Sequence, residues 1–163
     1  MNDKGQTVAI VPGSFDPITL GHIDIAKRAQ GLYDKVYLAV MINKDKKYMF
    51  SSEQRLSLAK VALEDTGIEV IYSEGMLWEL CRDLSADAIV KGYRNEIDLE
   101  YEQAMAKFNE EHYPKAKTIL LKANESLVSL SSTVVRNKII EGEDIGDIVP
   151  PNVLSEIKKF NMF

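Results

Sequence analysis

A chain of 163 residues fits one domain and can bury about 70% of the surface its unfolded form exposes. Its 45% apolar content is globular, no apolar run approaches ~20 residues, and the net charge is −5, which excludes a helical membrane span and argues against nonspecific nucleic-acid binding. One cysteine, Cys81, excludes an intrachain disulfide, and the opening residues Met1 to Gln6 lack the regions of a secretory signal, so a cytoplasmic protein is expected.

Taken in order, strand and helix signals alternate. Strands are predicted at Thr7–Val11, Lys35–Ile42, Ile68–Tyr72, Ala88–Lys91 and Thr118–Lys122. All are short, rich in Val, Ile, Leu and Tyr, and mostly apolar on both faces, as buried parallel strands are. The first helix is predicted over Ile23 to Leu32. The second opens at Ser51-Ser52-Glu53-Gln54, where Ser51 and Gln54 have capping-box spacing. A third runs from about Met76 to Leu84 and includes Cys81, read as a buried packing residue. A fourth runs from Glu96 to His112 and stops before Pro114. A fifth follows Ser131-Ser132-Thr133 and ends at Gly142, and the last starts near Pro150-Pro151.

This alternation implies a single α/β domain over residues 1–163, doubly wound on a five-stranded parallel sheet of order 3-2-1-4-5, Rossmann-like, with C-terminal helices. In such a sheet ligands bind at the switch point between strands 1 and 4. Two conspicuous stretches fall there. Pro12-Gly13-Ser14-Phe15-Asp16-Pro17-Ile18-Thr19-Leu20-Gly21-His22 links strand 1 to the first helix. Gly13 suits a sharp turn or a close approach, Pro17 stiffens the loop, and Thr19-x-Gly21-His22 sets an imidazole at a helix start that favours phosphate. After strand 4 comes Lys91-Gly92-Tyr93-Arg94, with Gly92 to turn the chain and two cations suited to phosphate.

Two further stretches leave alternatives open. Asn43-Lys44-Asp45-Lys46-Lys47 follows strand 2. It reads as a charged loop, one lysine of which can reach a phosphate, and spacing does not choose which. Ser129-Leu130-Ser131-Ser132-Thr133-Val134-Val135-Arg136 opens the fifth helix with hydroxyls that either cap it or hold a nucleotide phosphate. His112 reads as structural or exposed. Two histidines and one cysteine, far apart, offer no zinc spacing, and no metal-binding residues are predicted. Asn124-Glu125-Ser126 matches a glycosylation sequon without meaning in this context. No Walker loop, G-x-G-x-x-G or G-x-S-x-G occurs.

The strand-1 loop with its T-x-G-H resembles the nucleotidylyltransferase superfamily. Further pieces, in order, extend the likeness: Lys46-Lys47-Tyr48-Met49-Phe50, Lys91-Gly92-Tyr93-Arg94, Asp98-Leu99-Glu100-Tyr101-Glu102 and Leu130-Ser131-Ser132-Thr133. From Val8 to the last helix the chain is similar to the bacterial phosphopantetheine adenylyltransferases. The resemblance implies transfer of the adenylyl group of ATP to 4′-phosphopantetheine, giving dephospho-coenzyme A and pyrophosphate, with Mg2+. It also implies a homohexamer and feedback inhibition by coenzyme A.

Carried onto this chain, the resemblance makes Ser14 a contact of the phosphopantetheine phosphate lying beside ATP. Lys46, Leu77 and Lys91 hold the pantetheine substrate. Ser14, Phe15, His22, Gly92, Tyr93, Arg94 and Glu102 contact ATP, with the segment Leu127, Val128, Ser129, Leu130, Ser131, Ser132 and Thr133. His22, Lys46 and Arg94 are the expected catalytic groups. The family usually has Arg where this chain has Lys91, which keeps the charge and gives up the guanidinium fork. Ser14 stands where Thr is commoner. The alternatives are another small-acceptor nucleotidylyltransferase, distinguished by its acceptor, and a nucleotide sensor, distinguished by ATP binding without pyrophosphate release.

Overall fold

The expected alternation builds one sheet. In the computed structural model, which describes residues 5–160, the elements are β1 (Val8–Gly13), α1 (Leu20–Gln30), β2 (Lys35–Met41), α2 (Ser52–Ala62), β3 (Glu69–Ser73), α3 (Leu77–Leu84), β4 (Ala88–Tyr93), α4 (Glu96–His112), β5 (Lys117–Lys122), α5 (Ser132–Ile140) and α6 (Pro151–Lys159). The opening residues Met1 to Lys4, read above for targeting signals, lie outside the described residues. All the strand pairs are parallel, and the order is β3-β2-β1-β4-β5. β1 and β4 are therefore neighbours at the switch point.

Alternation along β1 divides the core into two layers. Ala9 and Val11 face a layer filled by Ile23, Ala26, Leu58, Val135, Val153 and Ile157 from α1, α2, α5 and α6. Val8 and Ile10 face a second layer with Cys81, Ala86 and Ala116. Each fully buried aliphatic chain, such as Ile10 or Leu38, contributes about 1.5–3 kcal/mol by leaving water. Cys81 is buried as expected, and burial pushes its thiol up to about 12.

Helix starts follow the sequence signals. Ser51 Oγ accepts from Gln54 N–H at 3.1 Å while Gln54 Oε1 accepts from Ser51 N–H at 3.0 Å, a closed capping box. α1 begins three residues before its apolar spacing does, because Thr19 caps it. Gly142, with φ of +73°, follows the end of α5 as a left-handed residue. The sequon-like Asn124 caps a short 3-10 turn, Glu125–Leu127, by accepting from Ser126 N–H at 3.1 Å.

Three strands outrun their predicted ends, β3 by one residue, to Ser73, and β1 and β4 by two. β1 pairs through Pro12 and Gly13 with Ala39 and Val40, and β4 pairs through Lys91, Gly92 and Tyr93 with Leu120, Leu121 and Lys122. Gly92 is thus a strand residue and turns nothing. Its role is clearance: a Cβ there would lie 3.0 Å from Ile25 Cδ1 and Cγ1 of α1. Gly13 likewise makes room, since a Cβ would meet the Phe15 ring at 2.9 Å. The turn itself is made by Phe15, whose φ is +49°, followed by a cis Asp16–Pro17 peptide.

Candidate active site

The strand-1 loop is held in shape by contacts within the protein. Asp16 is buried, and its carboxylate accepts from Met49 N–H and Phe50 N–H at 2.9 Å each. Arg136 of α5 donates to the Asp16 carbonyl at 2.8 Å, and Ser132 Oγ donates to the Pro17 carbonyl at 2.8 Å. The loop is thereby tied both to the segment before α2 and to the head of α5. Together they enclose a cleft of about 390 Å³ at the carboxyl ends of β1 and β4.

Most of the residues expected from the sequence meet there. Ser14, Phe15, His22, Lys46, Lys91, Gly92, Tyr93, Arg94, Glu102, Leu127, Leu130, Ser131, Ser132 and Thr133 all line the cleft. Leu77, Val128 and Ser129 are not in the lining. Leu77 heads α3 and packs against the second core layer. Val128 and Ser129 follow the 3-10 turn.

His22 is the third residue of α1, and its ring closes the helix's capping box. Thr19 Oγ1 accepts from His22 N–H at 3.4 Å, and Thr19 N–H donates to His22 Nδ1 at 3.0 Å. Because Nδ1 accepts, the neutral ring carries its proton on Nε2. Shelter from water, then the nearby Arg94 guanidinium, lowers the imidazole pKa to about 4. His22 is therefore a neutral N–H donor near pH 7. Phe15, 3% exposed, meets the imidazole edge-on with centroids 4.9 Å apart, so its ring supports His22.

The cations are arranged around this donor. Lys46 Nζ donates to Ser14 Oγ at 3.2 Å. Lys91 Nζ forms an ion pair with Glu102 Oε2. Arg94 Nε and its backbone N–H both donate to Asp98 Oδ2, at 3.1 and 3.2 Å. Arg136 lies 3.9 Å from an Asp16 carboxylate oxygen. Among the described residues, Lys46 alone of these four has no carboxylate partner within 4.0 Å.

The three hydroxyls at α5 divide their duties. Ser131 Oγ caps the helix by accepting from Val134 N–H at 3.2 Å, Ser132 latches onto Pro17, and Thr133 Oγ1 accepts from Arg136 Nη2 at 3.1 Å. The N–H groups of Ser132 and Thr133 remain at the head of the helix without intrahelical partners. Two helix starts, α1 and α5, thus face one cleft with four cations. This arrangement suits a polyphosphate.

Three participants were not singled out in the sequence. Asp98 and Arg136 had signals. Asp98, in the first turn of α4, stands four residues after Arg94, and Arg136 stands four after Ser132. Arg55 had a subtler one: a charged residue three and four places before Leu58 and Ala59 on a buried stripe. No group of three or more His, Cys, Asp and Glu that could hold a metal occurs among the described residues. The cleft carboxylates Asp16, Asp98 and Glu102 are already engaged.

Comparison with known proteins agrees with this geometry. The cytidylyltransferase-like family model matches residues 10–138, the class that fold and cleft define. A solved structure from Vibrio parahaemolyticus, assigned as a nicotinate-nucleotide adenylyltransferase, has the same fold. Its TM-score is 0.72 at 22% identity, covering 96% of this chain and 94% of that one. The phosphopantetheine adenylyltransferase of Flavobacterium psychrophilum is 44% identical over 146 residues, 89% of this chain and 96% of its own. That of Clostridium beijerinckii is 38% identical over 151 residues, 92% and 95% of the two chains. The chain belongs to the phosphopantetheine adenylyltransferase family.

Proposed function

We propose that this chain, acting as a single nucleotidylyltransferase domain, transfers the adenylyl group of ATP to 4′-phosphopantetheine and releases pyrophosphate. The near full-length match to phosphopantetheine adenylyltransferases carries the choice of acceptor. The cleft supplies the chemistry. An oxygen of the acceptor's phosphate attacks the α-phosphorus of ATP in line. The new bond is that P–O bond, and the bond broken joins the α-phosphorus to the bridging oxygen of the β-phosphate. Pyrophosphate leaves with those electrons, and dephospho-coenzyme A is the other product.

The attacking phosphate is already ionised, so no covalent intermediate with the protein is needed, and catalysis is positioning plus charge stabilisation. Ser14 and Lys46 hold the acceptor's phosphate, with Lys91 beside them. His22 Nε2–H donates to a non-bridging oxygen of the α-phosphate, where charge builds. Arg94 and the heads of α1 and α5 take the remaining phosphates. The ribose and base lie along Gly92, Tyr93, Glu102 and Leu127 to Thr133. Proposed contacts of Leu77, Val128 and Ser129 rest on the family resemblance. Mg2+ would come with ATP and neutralise charge on its phosphates, and with Asp16, Asp98 and Glu102 already engaged the cleft suits a hard cation held with few protein ligands.

Coenzyme A contains both the phosphopantetheine and adenosine parts, so it is the proposed feedback inhibitor at this same cleft. We also propose a homohexamer. Supporting self-association, α4 exposes a continuous apolar stripe: Ile97 is 79%, Tyr101 63%, Met105 37% and Phe108 38% accessible. A cytoplasmic location fits a substrate set led by ATP, and no helix among the described residues is long and apolar enough to cross a membrane.

The test is pyrophosphate release from ATP and magnesium on adding 4′-phosphopantetheine, with glycerol 3-phosphate and nicotinamide mononucleotide as controls. Release with phosphopantetheine alone is expected. Release with a control instead would reassign the acceptor, and ATP binding without any release would make the protein a sensor.

A further inference from the structure

Arg55 is the largest fully buried side chain of the described residues, at 1% exposure, and its hydrogen-bond partners among them are neutral carbonyls. Its Nη1 donates to the Ser14 carbonyl at 2.8 Å and the Met41 carbonyl at 3.3 Å, joining the strand-1 loop to the end of β2. Its Nε is buried without a hydrogen-bond partner among the described residues. Its guanidinium carbon lies 3.8 Å from the centroid of the Tyr48 ring. No carboxylate lies within ion-pair distance of it among those residues.

These contacts belong to a closed circuit around the Ser14–Lys46 corner. Tyr48 Oη accepts from Asn43 N–H at 3.0 Å, and Lys46 N–H donates to the Asn43 carbonyl at 3.1 Å. Lys46 Nζ lies 5.5 Å from the centroid of the same Tyr48 ring and donates to Ser14 Oγ at 3.2 Å. From Arg55 the chain of contacts runs to Ser14, Lys46, Asn43, Tyr48 and back to Arg55. A buried cation lacking a counter-ion is a poor packing residue, because an apolar chain of the same volume avoids its desolvation. Placed one peptide behind a phosphate-binding hydroxyl, it acquires a use.

We propose that Arg55 is a positioning residue for the acceptor: it fixes Ser14 and Lys46 as a pair and sets buried positive charge behind them, for which the acceptor's phosphate is the counter-ion. This rests on the reading that the acceptor's phosphate lies at Ser14 and Lys46. The contacts involve the acceptor corner, and Ser14 alone among them is also assigned to ATP. The effect is therefore selective for one substrate.

Arg55→Lys keeps the charge and loses the stack and the bridging nitrogen. Tyr48→Leu keeps apolar bulk and loses the platform. Each is expected to raise KM for phosphopantetheine about tenfold, with KM for ATP within about twofold, and the double variant is expected to be no worse than the weaker single one. Equal rises in both KM values, or no change in variants shown to be folded, would make Arg55 merely structural and overturn the proposal. Inorganic phosphate is expected to raise the Tm of the wild type more than that of Arg55→Lys, and equal shifts count against the proposal. This arm still judges Arg55 if phosphopantetheine proves not to be the acceptor. Should neither variant fold, the Arg55 Nε–H resonance of the 15N-labelled wild type decides: it is expected to move on adding inorganic phosphate, and a stationary signal overturns the assignment.

Discussion

His22 performs two tasks with one ring: Nδ1 closes the cap of α1, and Nε2 presents a proton to the cleft. Replacing it by Ala is expected to leave the fold intact at a cost of about 1 kcal/mol from the lost cap, and to lower kcat by about 10²–10³. Steady-state turnover with urea unfolding separates these effects, and unchanged turnover would remove His22 from the chemistry. The ring also gives a pH signature. An unfolded His titrates near 6.5, the folded one at about 4. Between these values the unfolded chain holds a proton that the folded chain lacks, so stability falls as pH drops through that window. The urea midpoint should fall less between pH 7 and pH 4.5 in His22→Ala than in wild type. The position of His22 was legible from T-x-G-H. Its neutral state was not, because that depends first on the burial of the ring and then on Arg94, and only the assembled fold supplies either.

Helices and strands set the cleft's dimensions with little slack. Gly92 lets α1 sit close against β4, so Gly92→Ala should push Ile25 and cost about 1–3 kcal/mol, with reduced activity because His22 rides on α1. Ile25→Val in the same chain should recover part of the loss in thermal unfolding; no recovery would mean the clash lies elsewhere. Ser131→Ala should cost about 1 kcal/mol, since Ser131 Oγ is the cap of α5. Measured stability equal to wild type would mean the cap contributes nothing. The sequence predicted every strand and helix of the fold, because caps and apolar periods are local signals. It ended β4 too early and read Gly92 as a turn. A glycine's neighbour across a helix–sheet interface leaves no local mark. Arg55 escaped for a similar reason: a single charge on an apolar stripe reads as a helix face until its burial is seen.

The proposed self-association is checked at the α4 stripe. Tyr101→Glu should lower the mass measured by light scattering if Ile97, Tyr101, Met105 and Phe108 meet another copy, and an unchanged mass would place the interface elsewhere. The chain is acidic as a whole, yet its cleft gathers four cations, three of them already matched to carboxylates. That internal matching acts as a filter against background salt. At Lys91, Arg94 or Arg136 a chloride ion or a lone monoanion must compete with Glu102, Asp98 or Asp16 for a single cation and gains no second contact in exchange. A triphosphate reaches several cations and two helix heads at once. The matched pairs therefore favour ligands with charge spread along their length. Affinity for ATP should depend only shallowly on ionic strength, because ligand binding exchanges one set of counter-charges for another and leaves few mobile ions to release.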